Sequence, residues 1–455
     1  MSRRNVALKV LRNELVPSFG CTEPVAVGLA TSIAYHASNG LGPSWLPIRP
    51  VVKIAANETK IDDIRRIVVN LDRFTYRNGL GVDIPGIERM GIVAAAASGV
   101  FCDPNKMLSL FEDLGHENAK KIDKLIETGK VKINVVGGLA TPCLYINAQV
   151  VTRATSGTWN RGIAIIRDSH TNVTFVGRNG RTLYRKSSSN HADRGKDMKR
   201  LSMISLTEMI DAAKSLPKDD FNLVLRAIEM NIAAAKVGTY KKTKLKIGHT
   251  LKKLRDEKIL ADDVNNRAIA LTSAAVDARM SGCIVPVMSC AGSGNQGLAA
   301  TLPIVAVAEK QGWDEKRIVR SVALSYIITC YCTSHLGYLS TFCGGADKAG
   351  IGATAGIVYY LGGNPRQINS AMRNMIQSVA GILCDGANTS CALKLAAISG
   401  AAVESALLAL KGVSVPPQIG IKGKNLEEMV KNLRKLSDNM TEVDNVMLKI
   451  IGTRL

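Results

Sequence analysis

The sequence predicts an α+β protein in which a small-residue-rich helical domain carrying a thiol site is joined to a mixed α/β domain. Three observations predict it. Short β-branched runs and an Asn-Gly turn crowd the chain before about residue 200. Beyond that point apolar residues recur at helical spacing. Aromatic residues make up only 4% of the chain while Gly and Ala abound, so the core must come from closely approaching helices rather than aromatic wedges.

The 455 residues are enough to bury a large core and to form two or three domains. Residues 1–45 read as N-terminal helices packing on the helical domain, 46–200 as the mixed α+β domain and 201–455 as the helical domain. Residues 6–16 have helical apolar spacing, which Gly20-Cys21-Thr22-Glu23-Pro24 interrupts. A second helix starts at Pro24, a residue suited to a first helical turn. Gly and Pro around residues 40–50 mark a loop. Val51–Ala55, Ile67–Leu71, Val131–Val135 and Leu144–Val151 suit strands, and Thr171–Tyr184 reads as a hairpin turning at Asn179-Gly180. Leu201–Ala235 is helical in period, and the pattern resumes at Asn266. From 266 to 412 small-residue helices are joined by three Gly-rich loops, Ala291–Gly297, Cys343–Gly345 and Cys384–Gly386. These loops are expected to meet at one end of the bundle.

The chain opens into an amphipathic stretch without an apolar signal-peptide core. The longest uncharged run, Ser321–Ala346, is interrupted by Ser, Thr, His335 and Gly, so a buried helix leading into a loop is expected rather than a membrane span. Together with ten cysteines that lack a secretory context, this predicts a cytoplasmic chain with reduced thiols. The formal charge is +21, with basic clusters at Arg178–Arg200 and Lys241–Lys258. They lack interleaved aromatics and any nucleic-acid-binding motif, so a solvated basic face favouring anionic substrates or an acidic partner is expected, not a nucleic acid.

Most of the cysteines read as small buried residues. Cys343, Cys384 and Cys391 differ because they sit beside glycines, which let the backbone pass close to a bulky ligand. Three thiolates can hold an iron–sulfur cluster with one iron left open, and an open metal position distinguishes a catalytic site from a structural one. Cys21 stands in a fourth such context, over three hundred residues away.

Pro17–Pro24, Met288–Gly297 and Cys384-Asp385-Gly386-Ala387 resemble the signature segments of the L-cysteine desulfidase family, which is related to the iron–sulfur-dependent L-serine dehydratases of bacteria. Thr171-Asn172-Val173 and Gly350–Gly356 are similar as well, so the resemblance covers nearly the whole chain. It implies a lyase that uses a 4Fe-4S cluster and no pyridoxal phosphate. The substrate would be an amino acid: L-cysteine, eliminated to pyruvate, ammonia and sulfide, or L-serine or another β-substituted relative. It further implies Cys343, Cys384 and Cys391 as cluster ligands, with Cys21 as a fourth ligand or a substrate-side thiol. Thr22, Ser293 and Asn295 would hold the substrate carboxylate, and Glu23, His335 or Lys348 would act as base. The family commonly carries Cys-Gly-Cys where this chain has Cys343-Gly344-Gly345; its ligand aligns with Gly345, so Cys343 with a shifted loop, or Cys21, must take that place, or the cluster is weakened. A cluster-free binding or regulatory protein on the same scaffold is the alternative, distinguished by the colour of anaerobically purified protein. The small-residue helix faces suit a homodimer.

Overall fold

Two hydrophobic cores organise the chain, one against a β-sheet and one inside a helical bundle. The computed structural model describes residues 3–51, 59–136, 144–186, 188–241 and 243–452. The expected strand at Val51–Ala55 lies almost entirely outside them.

The N-terminal helix α1 (Arg3–Glu14) buries Val6, Ala7, Val10 and Leu11 in the helical core, as their three-to-four spacing dictates. A short strand β1 (Val16–Ser18) follows, then α2 (Thr22–Ser38). This second helix is mostly small and apolar and is buried along its whole length except at Tyr35, so it is enclosed rather than laid on a surface. It lies against the sheet, and its Val25, Leu29 and Ile33 join the sheet's core. Residues 1–45 therefore divide between the two cores, where the sequence had suggested that both helices pack on the helical domain.

The sheet begins with β2 (Ile64–Leu71), after which Asp72 caps α3 (Arg73–Gly79) by accepting hydrogen bonds from Phe74 N and Thr75 N. A small ribbon, β3 (Asp83–Ile84) with β4 (Arg89–Met90), leads to α4 (Gly91–Gly99) and α5 (His116–Glu127). The remaining strands are β5 (Val131–Val135), β6 (Tyr145–Arg153), β7 (Trp159–Arg167), β8 (Val173–Arg178) and β9 (Arg181–Arg185). Their spatial order is β5-β2-β6-β7-β8-β9, antiparallel except for the β2–β5 pair. On β6 the alternate residues Ile146, Ala148 and Val150 are fully buried, the period-two pattern of a sheet with one covered face. The expected hairpin turns at Asn179 and Gly180, both with positive φ (48° and 83°), as a two-residue turn matched to strand twist requires. At Gly162 of β7, a Cβ would lie 1.9 Å from Ala34 O of α2, so the helix reaches the sheet only because no side chain intervenes.

The helical region contains α6 (Ser188–Leu201), α7 (Leu206–Lys214), α8 (Lys218–Tyr240), α9 (Ile247–Asp256) and α10 (Val264–Met280). The periodic stretch 201–235 is cut twice, by the Ser205–Glu208 capping box that starts α7 and by Pro217 ahead of α8. Strand β10 (Val287–Ser289) precedes α11 (Gly294–Gln311), and α12 (Glu315–Leu336) forms the buried helix expected from the long uncharged run. A π-helical turn, Gly345–Gly350, opens α13 (Ile351–Tyr360), followed by α14 (Pro365–Val379), α15 (Cys391–Leu410), α16 (Leu426–Asp438) and α17 (Thr441–Gly452). Among the described residues only α15 is long and apolar enough to cross a membrane, and half of its apolar stretch is buried in this bundle.

Candidate functional site

The site is assembled by pairings between distant segments. β1 and β10 run antiparallel, with Val16 opposite Ser289 and Ser18 opposite Val287. That short ribbon brings Cys21 and Glu23, just beyond β1, to the Gly-rich loop just beyond β10. A second link joins the thiol loops: Cys343 N donates to Ile382 O (2.8 Å) and Cys384 N to Thr341 O (2.8 Å). The loop after Cys384 turns at Gly386 (φ 102°), where a Cβ would meet Arg77 O at 2.5 Å, and α15 then starts at Cys391. Cys343, Cys384 and Cys391 consequently line one cavity together with Cys21, Glu23, Ser293 and Asn295. The three Gly-rich loops do meet at one end of the bundle.

Burial, and then the nearby Cys384 and Cys391, push the Cys343 thiol up to about 12. Burial likewise pushes Cys391 up to about 11, with Cys384 adding to it. The thiols are therefore close enough to feel one another's charge. Among the described residues, however, no three His, Cys, Asp or Glu side chains converge on a point where one metal ion could sit. A single ion draws all its sulfurs to about 2.3 Å from one centre. A cluster binds each thiolate to a different iron, which spreads the sulfurs apart. A thiol-only donor set on glycine-lined loops suits the second arrangement. All nine described cysteines are free of disulfides.

The same cavity holds a carboxylate, linked to the thiols through Asn78, whose Oδ1 accepts from Cys384 Sγ (3.9 Å). Glu23 Oε2 accepts from Cys21 Sγ (3.3 Å) and Thr22 Oγ1 (3.0 Å), and Oε1 accepts from Asn78 Nδ2 (3.0 Å). His170 Nε2 stands 4.0 Å from Oε1. Burial alone would push Glu23 up, but His170, Asn78 and Cys21 outweigh it and hold the carboxyl below its usual range. The Cys21 thiol is driven upward by burial and then by Glu23, with Arg279 opposing. Its strongest electrostatic neighbours are thus Glu23 and Arg279 rather than the other three cysteines.

The structure places the remaining expected residues as follows. Ser293 caps α11, its Oγ accepting from Gln296 N (3.4 Å). Asn295 Oδ1 accepts from Arg279 Nη1 (2.8 Å). Thr22 is buried behind Glu23 and is not on the cavity wall. His335 is not brought to the cavity. It lies in the last turn of α12, its ring is tilted against Tyr331 with centroids 4.9 Å apart, and its carbonyl accepts from Arg434 of α16. The last turn of α12 carries it away from the loop that follows. Lys348 does reach the wall, from the π-helical turn; its Nζ donates to Gly337 O (2.7 Å) and Tyr338 O (3.2 Å), and burial pushes it down to about 8.

His170, Arg279 and Asn78 also face the cavity and carried no signal in the sequence reading. His170 directly precedes the Thr171-Asn172-Val173 segment, the one cue that pointed near it. Arg279 and Asn78 sit in helices where a polar residue looks the same whether it faces solvent or a buried site.

Residues 137–449 match the serine dehydratase alpha chain family, and the chain belongs to that family. Membership supports a lyase acting in amino-acid catabolism. More particularly, the chain is similar to the UPF0597 protein of Clostridium tetani, 34% identical over 456 residues covering all of both chains. Similar proteins of the same designation come from Caldanaerobacter subterraneus (34% over 445 residues, 97% of each chain) and Photobacterium profundum (34% over 450 residues, 98% of each).

Proposed function

We propose that the protein is a 4Fe-4S-dependent lyase that eliminates the β-substituent of a small amino acid, L-cysteine first and L-serine as the alternative, to yield pyruvate and ammonia. The observation that carries this reading is the meeting of Cys343, Cys384 and Cys391 at one cavity, with the first two loops fastened by backbone hydrogen bonds. These three thiols would hold the cluster. When bound, it supplies a Lewis-acidic iron that stabilises the departing thiolate or hydroxide.

The chain's own residues supply the proton chemistry. The α-proton passes to the imidazole of His170, and the neighbouring Glu23 carboxylate stabilises the imidazolium that forms. Glu23 is fit for this because Asn78 and Cys21 hydrogen-bond its carboxylate, which can then pair with the imidazolium once the proton arrives. Cys21 and Thr22 donate to it and fix its orientation. Loss of the α-proton and the β-substituent leaves 2-aminoacrylate, which takes up water and breaks down to pyruvate and ammonia. For L-cysteine the balance is one water consumed and one sulfide released.

The deciding experiment is an anaerobic assay of pyruvate and sulfide from L-cysteine beside pyruvate from L-serine, on protein whose iron and visible absorbance are measured in the same preparation. Brown protein with about four irons per chain and turnover of either amino acid supports the reading. A colourless, iron-free protein after anaerobic purification and attempted reconstitution overturns it and favours the cluster-free binding protein.

A further inference from the structure

Resting on the lyase reading for the identity of its substrate, we infer that Arg279 is the carboxylate anchor of the cavity, and that Asn295 and Gly294 serve to position its guanidinium rather than to touch substrate. Arg279 lies in the last turn of α10 and is only 2% exposed, yet it makes no ion pair with any acidic side chain among the described residues. One hydrogen bond holds it, from Nη1 to Asn295 Oδ1 at 2.8 Å. Its Nε and Nη2 are buried and have no hydrogen-bond partner among the described residues. A buried guanidinium left with unpaired N–H groups is costly unless a ligand completes it, and this one lies on the wall of the cavity.

The local structure is built to place it there. Gly294, the first residue of α11, has no side chain; a Cβ would come within 2.4 Å of Arg279 Nε and 2.7 Å of Cζ. The guanidinium thus lies against the N-terminal turn of an 18-residue helix, whose unpaired backbone N–H groups also favour an anion. Asn295 is itself braced, its Nδ2 lying 3.7 Å from Met280 Sδ, so its Oδ1 is held toward Arg279. Two parallel N–H groups beside a helix N-terminus match the fork of a carboxylate. Arg279 also acts electrostatically on Cys21, so the anchor lies near Cys21 and Glu23 on the cavity lining. A substrate held there by its carboxylate shares its cavity with His170, Glu23 and the cluster-binding cysteines.

The test uses ligands that cannot be turned over. L-alanine and L-alaninamide share the ammonium group and methyl side chain and differ only in the carboxylate. Titration calorimetry on the anaerobically reconstituted protein is expected to show L-alanine binding about 100-fold more tightly than the amide. In Arg279→Met the preference falls to within about threefold, through weaker L-alanine binding with L-alaninamide unchanged. In turnover the same variant raises KM about 100-fold while kcat moves far less, because an interaction made equally in ground and transition states is lost. Arg279→Lys keeps the charge without the fork and should fall between the two, which carries the test if the Met variant does not fold. An undiminished preference in either variant, or equal weakening of both ligands, overturns the assignment. If the protein takes up no iron, the lyase reading fails alone, since the preference for L-alanine still reports on Arg279 in the cluster-free protein.

Discussion

His170 Nε2 and Glu23 Oε1 face each other at 4.0 Å across the cavity wall, one from the turn between β7 and β8 and the other from the first turn of α2. Both are nearly inaccessible to solvent. A buried carboxylate that remains ionised is a strong local charge, and here it is directed at an imidazole. Replacing His170 by Gln should lower kcat by about 10²–10⁴-fold, the usual worth of a positioned general base. Glu23→Gln should lower it by a smaller factor, with visible absorbance unchanged in both. Loss of the cluster absorbance in either variant, or a kcat within threefold of wild type for His170→Gln, would place the base elsewhere on the wall.

The cysteines separate by position rather than by number. Cys384→Ser should abolish iron uptake, whereas Cys102→Ser should leave it intact. Cys102 lies in the sheet's core, with its thiol donating to Ser98 O (3.2 Å). Equal iron contents in the two variants would refute the assignment. Burial also gives loading a pH dependence. Cys343 and Cys391 are held near 12 and 11, so both are protonated at neutral pH and must release protons on metal binding. Iron retained per chain at limiting iron should therefore rise from pH 6.5 to pH 8.5, and a flat profile would contradict this.

Asp347 sits on the π-helical turn, 1% exposed, with neither carboxylate oxygen hydrogen-bonded. Burial pushes it from 3.8 up to about 7, and burial pushes the adjacent Lys348 from 10.5 down to about 8. Between pH 3.8 and 7 the folded chain holds a proton on Asp347 that the unfolded chain has lost, so stability falls as pH rises through that window. Between pH 8 and 10.5 the unfolded chain holds the extra proton, on Lys348, and stability recovers. Asp347→Asn removes the first effect. It should stabilise the protein by on the order of 1–3 kcal/mol at pH 7.5 and by much less at pH 4.5. Urea midpoints at the two pH values check this; a difference that does not grow with pH would mean that Asp347 is solvated or paired.

Much of this architecture is legible in the chain because local rules agree with the global fold. The Asn179-Gly180 turn, the strand around Ile67 and the buried α12 each follow from period or turn chemistry alone. The Gly-rich loops disclosed the thiol wall of the site for the same reason: glycine beside cysteine marks a backbone that must come close to something. The rest of the site was hidden by two kinds of physics. Pairing of β1 with β10 joins segments some 270 residues apart, and nothing in either short run specifies the partner. A charged residue in a helix, such as Arg279, has no periodic signature of burial, because its place is set by a cavity formed from other segments. His335 shows the converse, a histidine near a thiol loop in sequence that the last turn of α12 points toward α16 instead.

The contact between α2 and β7 links the stability of the sheet to the chemistry of the cavity. A methyl group at Gly162 would fall 1.9 Å from Ala34 O and 2.6 Å from Ser38 N, both backbone atoms that no rotamer change can move. Gly162→Ala should therefore destabilise the protein by about 3 kcal/mol, the upper range for overpacking. Gly452→Ala, where a Cβ meets nothing within 4 Å, should be close to neutral. If the chain relieves the clash by lifting α2 from the sheet, the shift is carried along a rigid helix to Glu23 in its first turn, and the distance to His170 on the sheet side changes with it. Activity of folded Gly162→Ala should then drop at least tenfold at temperatures well below its unfolding midpoint, since misplacing a base by about 1 Å costs about 10²-fold. A variant that melts early yet turns over like wild type in the cold would show that α2 yields near Ala34 without moving its N-terminal end.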